Sequence, residues 1–296
     1  MAGIIARLVV AAFALAPADS RANGVAGDRL FPATLTIEDT QNDDELAFPA
    51  ISYLKRGANG DMPPHRELRF TGEFSRLLTP DLAIGAGLGW RRLGAGGPAR
   101  SGWDNVEFEL THQTLRNDPH ELLLSTALTY EIGSTGARGI GAERFDTIQP
   151  IVSFGRGFGD LPRAMDWLRP AAISGSAGLA VPTGSAAKVA RYGASLQYSL
   201  LYRDRHIGRL TPAWLGSLIP LVEFAIETPV GRSYGSRTVA TASPGVAWIG
   251  EGWQLTAEAL LPLNDRTGRG IGFVAQAHFF LDDLVPAVFG KPLFGE

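Results

Sequence analysis

Five stretches of this chain alternate apolar with small or polar residues at a period of two, and that pattern confines the fold to β structure. Leu82, Ile84, Ala86, Leu88 and Trp90 alternate with Asp81, Ala83, Gly85, Gly87 and Gly89. Val106, Phe108 and Leu110 alternate with Asn105, Glu107, Glu109 and Thr111. Leu68, Phe70 and Phe74 do so with Glu67, Arg69, Thr71, Glu73 and Ser75, and Val222, Phe224 and Ile226 with Glu223, Ala225 and Glu227. Near the C-terminus Ile271, Phe273, Ala275, Ala277 and Phe279 are interleaved with Gly272, Val274, Gln276 and His278. Side chains along a strand point to opposite faces in turn, so each stretch has one apolar face and one mostly polar face.

Extending this reading predicts twelve strands, near residues 45–54, 66–78, 81–91, 104–116, 121–133, 147–156, 168–181, 191–202, 218–228, 238–249, 253–262 and 270–281. Most are longer than the usual globular strand of about 5–6 residues. They suffice for a tilted membrane crossing of roughly 9–11 residues. Tight turns at Leu78-Thr79-Pro80, Asn117-Asp118-Pro119-His120 and Ile249-Gly250-Glu251-Gly252 alternate with longer loops at 55–65, 92–103, 134–146, 182–190, 229–237 and 263–269. Short turns at one end and long loops at the other predict an all-β fold, a transmembrane antiparallel β-barrel of about 12 strands of the Gram-negative outer-membrane type. An even strand number puts both termini on the periplasmic side. Two periplasmic connections, 157–167 and 203–217, are long; they carry Trp167 and Trp214 and are expected to form short helices or aromatic contacts at the inner rim. Three upward strands end on proline, in Leu179-Ala180-Val181-Pro182, Ile226-Glu227-Thr228-Pro229 and Leu260-Leu261-Pro262. Proline cannot donate to a ladder and belongs at strand ends.

The N-terminus reads as an export signal. Arg7 precedes the apolar run Leu8–Ala16, and Ala16-Pro17-Ala18 and Ser20-Arg21-Ala22 offer cleavage sites. Nine apolar residues are too few to cross a bilayer as a helix, and no later run reaches 18. The expected organisation is a signal peptide at 1–22, an acidic periplasmic segment at 23–44, the barrel at 45–281 and a periplasmic tail at 282–296. Without residues 1–22, which hold Arg7, Arg21 and Asp19, the 27 basic and 30 acidic residues become 25 and 29. That balance offers nothing to neutralise nucleic-acid phosphates. The chain has no cysteine, so neither a disulfide framework nor a thiolate metal site is available.

The run Asp28-Arg29-Leu30-Phe31-Pro32-Ala33-Thr34-Leu35, the strand from Ile148-Gln149-Pro150 to Gly157, and the strand-end prolines resemble the outer-membrane β-barrel transporter-like proteins of the phenol meta-cleavage degradation pathway. The resemblance covers most of the mature chain as a pattern, through short motifs. It implies uptake of small organic molecules and carries over no catalytic residue. One departure is the tail after Phe279-Phe280-Leu281: many barrels end on an aromatic residue that the assembly machinery reads, and here that signal would be internal.

The polar faces, assigned to the lumen, supply the candidate site. They hold Glu67, Arg69, Glu73, Glu107, Glu109, Glu131, Glu223, Glu227, Gln254, Glu258, Gln276 and His278, with Glu121, Gln113 and Gln197 beside them. Charges facing lipid are disfavoured, so the lumen is where these groups belong. Two readings stay open: a cation-tolerant passage, and an interior of paired Glu, Arg and Gln that holds the barrel shut. Gly85, Gly87 and Gly89 on one inward face leave space for the first. The long loops and their flanks carry Arg91, Arg92, Arg100, Arg138, Arg144, Arg232 and Arg237, a basic rim suited to lipopolysaccharide phosphates or anionic solutes. The acidic segment with Glu38, Asp39, Asp43, Asp44 and Glu45 is expected to hang free, the alternative being a small plug.

No Ser, His and acid set among His65, His112, His120, His206 and His278 has a placement that points to catalysis, and no polar trio is expected to interrupt the lipid-facing sides. No H-x-x-x-H pair supports zinc. The expected function is a passive channel or uptake protein for small organic solutes, aromatic or hydrophobic ones included, without enzyme activity or cofactor. Its partners would be outer-membrane lipid, lipopolysaccharide and the assembly machinery. The alternatives are a non-conducting structural or adhesive barrel and an outer-membrane lipid hydrolase.

Overall fold

A computed structural model describes residues 24–57, 64–210, 212–231 and 238–295. The expected signal peptide, and Arg232 and Arg237 of the basic rim, lie outside the described residues. Twelve antiparallel strands form one sheet: β1 Glu45–Arg56, β2 His65–Thr79, β3 Leu82–Gly94, β4 Val106–Asn117, β5 Leu122–Ile132 and β6 Thr147–Gly157, then β7 Ala171–Pro182, β8 Lys188–Tyr198, β9 Leu218–Val230, β10 Val239–Gly250, β11 Trp253–Pro262 and β12 Gly272–Phe280. Each of these twelve pairs with its neighbours in sequence, β12 pairs back onto β1 through Phe273↔Tyr53 and Phe279↔Leu46, and a short thirteenth strand, Arg100–Trp103, joins the same sheet on β3 where a loop was expected. The sheet is therefore a closed barrel with no free edge, the arrangement that satisfies every strand's backbone within a bilayer.

The pleat sorts the side chains as the alternation requires. Ile84, Leu88, Phe108, Leu128, Val152, Phe224 and Phe273 face outward and are exposed. Ser125, Ser195, Glu223, Ser243 and Gln254 face inward and are fully buried. At one end, turns of two residues or a single short 3-10 turn join β2 to β3, β4 to β5 and β10 to β11, while 158–170 and 199–217 are long connections at that same end; the other end carries loops throughout. Pro182 and Pro262 close their strands, and Pro229 stands one residue from the end of β9.

The largest boundary difference is at β8, which spans 188–198 rather than 191–202. Ser199 accepts a hydrogen bond from the Tyr202 N–H and caps helix α1, Leu200–His206, so residues read as strand end become helix start. A 3-10 turn at Ala213–Ser217 follows in the same connection, and another at Arg163–Met165 lies in the first long one. Trp167 and Trp214 are exposed at this turn end. At the C-terminus α2, Leu281–Leu284, and α3, Pro286–Phe289, lead the tail back along β2, where Leu293 and Phe294 donate backbone hydrogen bonds to Leu77 and Leu78. Phe289 packs edge-on against outward-facing Phe74, and Arg76 lies over its ring.

The acidic N-terminal segment does not hang free, and this corrects the expectation. It begins with a two-strand hairpin, Val25–Ala26 with Arg29–Leu30, and then threads the lumen. Phe31 packs with Leu123 of β5 and Ala172 of β7, and Leu30 packs against Ile219, Leu221 and Ala247. Farther in, Leu35 packs on inward-facing Leu54, Leu260 and Val274. Burying these apolar inward faces is favourable at roughly 25 cal/mol per Å². The segment's own backbone is satisfied by the wall: Ala33 exchanges two hydrogen bonds with Gln254, and Ser125 donates to the Thr40 carbonyl. Part of the segment's charge is met there: Arg76 and the Leu77 N–H bind Asp44, while Asn42 and Asp43 keep buried side-chain atoms without a hydrogen-bond partner among the described residues.

Candidate functional site: an acidic cavity above an internal plug

The barrel wall and the plug enclose a cavity of about 570 Å³ toward the loop end. Its floor is Thr34–Asp39 with Gln41 and Asn42, and its wall draws on residues from β1 through β12. Of the inward residues read from the sequence, Arg69, Glu73, Glu107, Glu109, Glu131, Glu227 and Gln276 line it. Gly85 and Gly87 line it as well, and their missing side chains leave part of its volume. Glu38 on the plug adds a carboxylate that the sequence reading had not placed in the lumen.

The cations near this space are largely engaged. Arg69 and Arg91 both bind Asp104, Arg69 at 3.1 Å. Arg191 donates to Gln149 at 2.5 Å and approaches Glu227 at 3.4 Å, while Gln149 donates to Glu38 at 3.3 Å. Asn105 holds Glu131, and Thr111 donates to Glu109 at 2.8 Å. Glu73 and Glu107 have no hydrogen-bond or ion-pair partner among the described residues. The cavity is therefore a concave space whose wall and floor carry more carboxylates than cations.

The other inward candidates lie elsewhere. Glu67 is paired with Arg56 at 3.5 Å near the loop end. Gln254, Glu223 and Glu258 are buried against the plug or the wall, and His278 shares a 2.8 Å hydrogen bond with Glu45. Arg91 points inward onto Asp104, a partner it shares with Arg69. Arg92, Arg100, Arg138 and Arg144 stay at the loop end.

At the turn end a buried knot ties plug to barrel. Arg29, with no exposed surface, donates to Glu121 at 3.1 Å and to the carbonyls of Arg169 and Pro170, and its guanidinium lies 4.2 Å from the Tyr202 ring centre. Gly159 is needed beside it, because a Cβ there would collide with the Glu121 carboxylate and the Tyr202 hydroxyl. Arg29 and Phe31 were missed as lumen residues. The available signal was the inward apolar set at strand ends, such as Leu123 and Ile219, which needs an internal partner.

The outer face holds a second correction. His112 and Thr126 are cross-strand partners on the outward side of β4 and β5, and Thr114 sits at a bulge beside them. Thr114 Oγ1 is 3.3 Å from His112 Nδ1 and 3.3 Å from Thr126 Oγ1, so a hydrogen-bonded polar trio does interrupt the apolar band. Overlooked in the sequence reading was Gly231-Arg232-Ser233-Tyr234-Gly235, which has the letters of a nucleophile elbow and lies mostly outside the described residues. It joins antiparallel β9 to β10 rather than a strand to a helix, the context that motif requires.

No family model matches the chain, and no curated protein matches it. Among solved structures it is similar to LpxR from Salmonella typhimurium, with a TM-score of 0.49 and 12% identity over 80% of this chain and 99% of that one. It is similar to the KdgM porin at 0.45 and 10% identity, over 78% and 98% of the two chains. Outer membrane phospholipase A from Escherichia coli gives 0.38 and 10%, over 80% and 93%. The closed ladder of twelve strands, of outer-membrane type, defines the fold here, and no finding ties the chain to proteins of the phenol meta-cleavage pathway.

Proposed function

We propose that this chain is an exported outer-membrane barrel that takes up small organic solutes, preferring those with a positive charge, through a lumen gated by residues 24–44. The loop end faces outward and the turn end faces the periplasm. The observation that carries the reading is the cavity over the plug, with Glu73 and Glu107 on its wall and without a partner among the described residues. A solute entering from the loops meets carboxylates first and Leu35, Leu54 and Leu260 below them, a combination suited to an organic cation with an apolar body. Passage requires the plug to move, because the lower lumen is filled by Phe31, Leu30 and Arg29. Arg92, Arg100, Arg138 and Arg144 would meet lipopolysaccharide phosphates at the outer rim.

The test is ion conductance in a planar bilayer, comparing the mature chain with a variant lacking residues 24–41. The mature chain should be closed most of the time and the deletion variant should conduct with cation preference. Since the chain has no cysteine, an oxidised L35C/L260C pair should abolish openings until reduced. A deletion variant that is folded by heat-modifiable gel mobility and yet silent overturns the reading in favour of a structural barrel.

A second reading, lipid-ester hydrolysis, is favoured by the His112–Thr114–Thr126 trio alone. A hydroxyl beside an imidazole on a membrane-facing surface is the arrangement of an activated nucleophile. Turnover of labelled phospholipid by the pure protein, lost in Thr114→Ala and His112→Ala, would establish it; no turnover removes it.

A further inference from the structure

Beneath Leu35 and Thr36 the wall carries an acidic pair that does not line the cavity. Glu223 of β9 faces Ser195 of β8 and Ser243 of β10 across the ladder, and Gly245 of β10 faces Glu258 of β11. Glu223, Ser195 and Ser243 are fully buried, and Glu258 is 4% exposed. Gly245 makes the room: a Cβ there would collide with Glu258 Cγ. Glu258 leans over Gly245 toward Glu223, its neighbour among the buried carboxyls. Among the described residues no N–H or hydroxyl donates to either Glu258 oxygen, and the Ser195 and Ser243 hydroxyls are also without partners. Glu223, in contrast, accepts from the plug: the Leu35 N–H at 3.1 Å, the Thr36 N–H at 2.7 Å and the Thr36 hydroxyl at 2.6 Å.

Two neighbouring carboxylates out of water cannot both remain ionised, since repulsion and lost hydration act together. Among the described residues no cation faces them. The titratable groups on this side of the plug and of β12 are engaged elsewhere: Glu38 with Gln149, Asp39 with Thr34, and His278 with Glu45. We propose that Glu223 and Glu258 share one proton, with Glu258 the donor, and that this proton latches the plug shut. The latch rests on the gated-uptake reading and adds its regulation. While the proton is present Glu258 is neutral, and Glu223 is a single anion neutralised by three plug donors. When it leaves, a second charge needs water, and water reaches the pair only if Leu35 and Thr36 lift off Glu223. The closed barrel therefore binds the proton more tightly than the open one, and by linkage rising pH favours opening.

Two measurements on the full mature chain decide this. Infrared difference spectra of wild type minus Glu258→Gln at neutral pH should show a protonated-carboxyl C=O band that shifts in D2O. If the glutamine variant fails to fold, Glu223→Gln serves, because its amide donates to Glu258 and removes the same proton. No difference band overturns the shared proton. Exchange of the Leu35 and Thr36 amides, corrected for intrinsic pH dependence, should accelerate at least tenfold as pH rises through the alkaline range in wild type. It should stay flat in Glu258→Gln; identical profiles overturn the latch. A silent plug-deletion variant would defeat the uptake reading, while the band and the amide exchange would still report on the pair.

Discussion

Arg29 of the plug and Glu121 at the entrance to β5 form a fully internal ion pair, 3.1 Å from Nε to Oε2, on a chain segment that composition alone would leave in solvent. The pair is held on one side by the Arg169 and Pro170 carbonyls and on the other by Tyr202. Removing one partner of such a pair leaves the other charge buried, typically at a loss of about 3–5 kcal/mol. Arg29→Ala should therefore release the turn end of the plug while leaving the barrel folded. The check is faster amide exchange over residues 24–33 and more frequent channel openings.

Glu107 and Glu109 sit on the cavity wall, and Glu107 has no partner among the described residues. In a variant with the plug removed, E107Q/E109Q should lower cation over anion selectivity several-fold. Reversal potentials across a salt gradient measure this. Unchanged selectivity would mean that the carboxylates do not set the field of the passage.

Asp160, in the connection after β6, provides a pH dependence at the turn end. Burial alone would raise its pKa, but hydrogen bonds from His120 at 2.9 Å and Arg156 at 2.7 Å hold it below the ordinary carboxylate value. A carboxyl depressed in the folded state stabilises above its unfolded pKa, about 3.9. That contribution is lost as pH falls through the folded value. The connection 158–170 should loosen below about pH 4, and Asp160→Asn should make it equally loose at neutral pH, by at most about 1 kcal/mol for so exposed a set. Amide exchange of the connection against pH follows the effect.

Phe224 faces outward from the middle of β9. If the outer surface meets lipid, Phe224→Arg should destabilise the barrel by roughly 2–4 kcal/mol in bilayers. Denaturant titration in liposomes gives the value, and the same change in a soluble barrel would be close to neutral.

The alternation determined much of this protein without tertiary information. Because side-chain direction in a strand has a period of two, Val222, Phe224 and Ile226 had to share one face and Glu223 and Glu227 the other, whatever their neighbours. Strand length and the contrast of Leu78-Thr79-Pro80 with the long loops then gave the closed barrel, strand by strand, to within a few residues. The exception at β8 is local: Ser199 caps a helix that continues the apolar pattern.

What only the tertiary structure decided lies inside and outside that wall. Residues 24–44 have no strong periodicity, and their acidity argues for solvent. Their position depends on partners that are remote in sequence, such as Gln254 for Ala33 and the Glu223 carboxylate that accepts from Leu35 and Thr36. Arg91 shares the inward face of Gly87 and Gly89 by alternation, but its pairing with Asp104 across a loop is tertiary, and the outward trio depends on a bulge that turns Thr114 toward His112 and Thr126. The plug contacts join residues far apart in the chain, and their free energy exists only once the barrel surrounds the segment, so no local pattern encodes them.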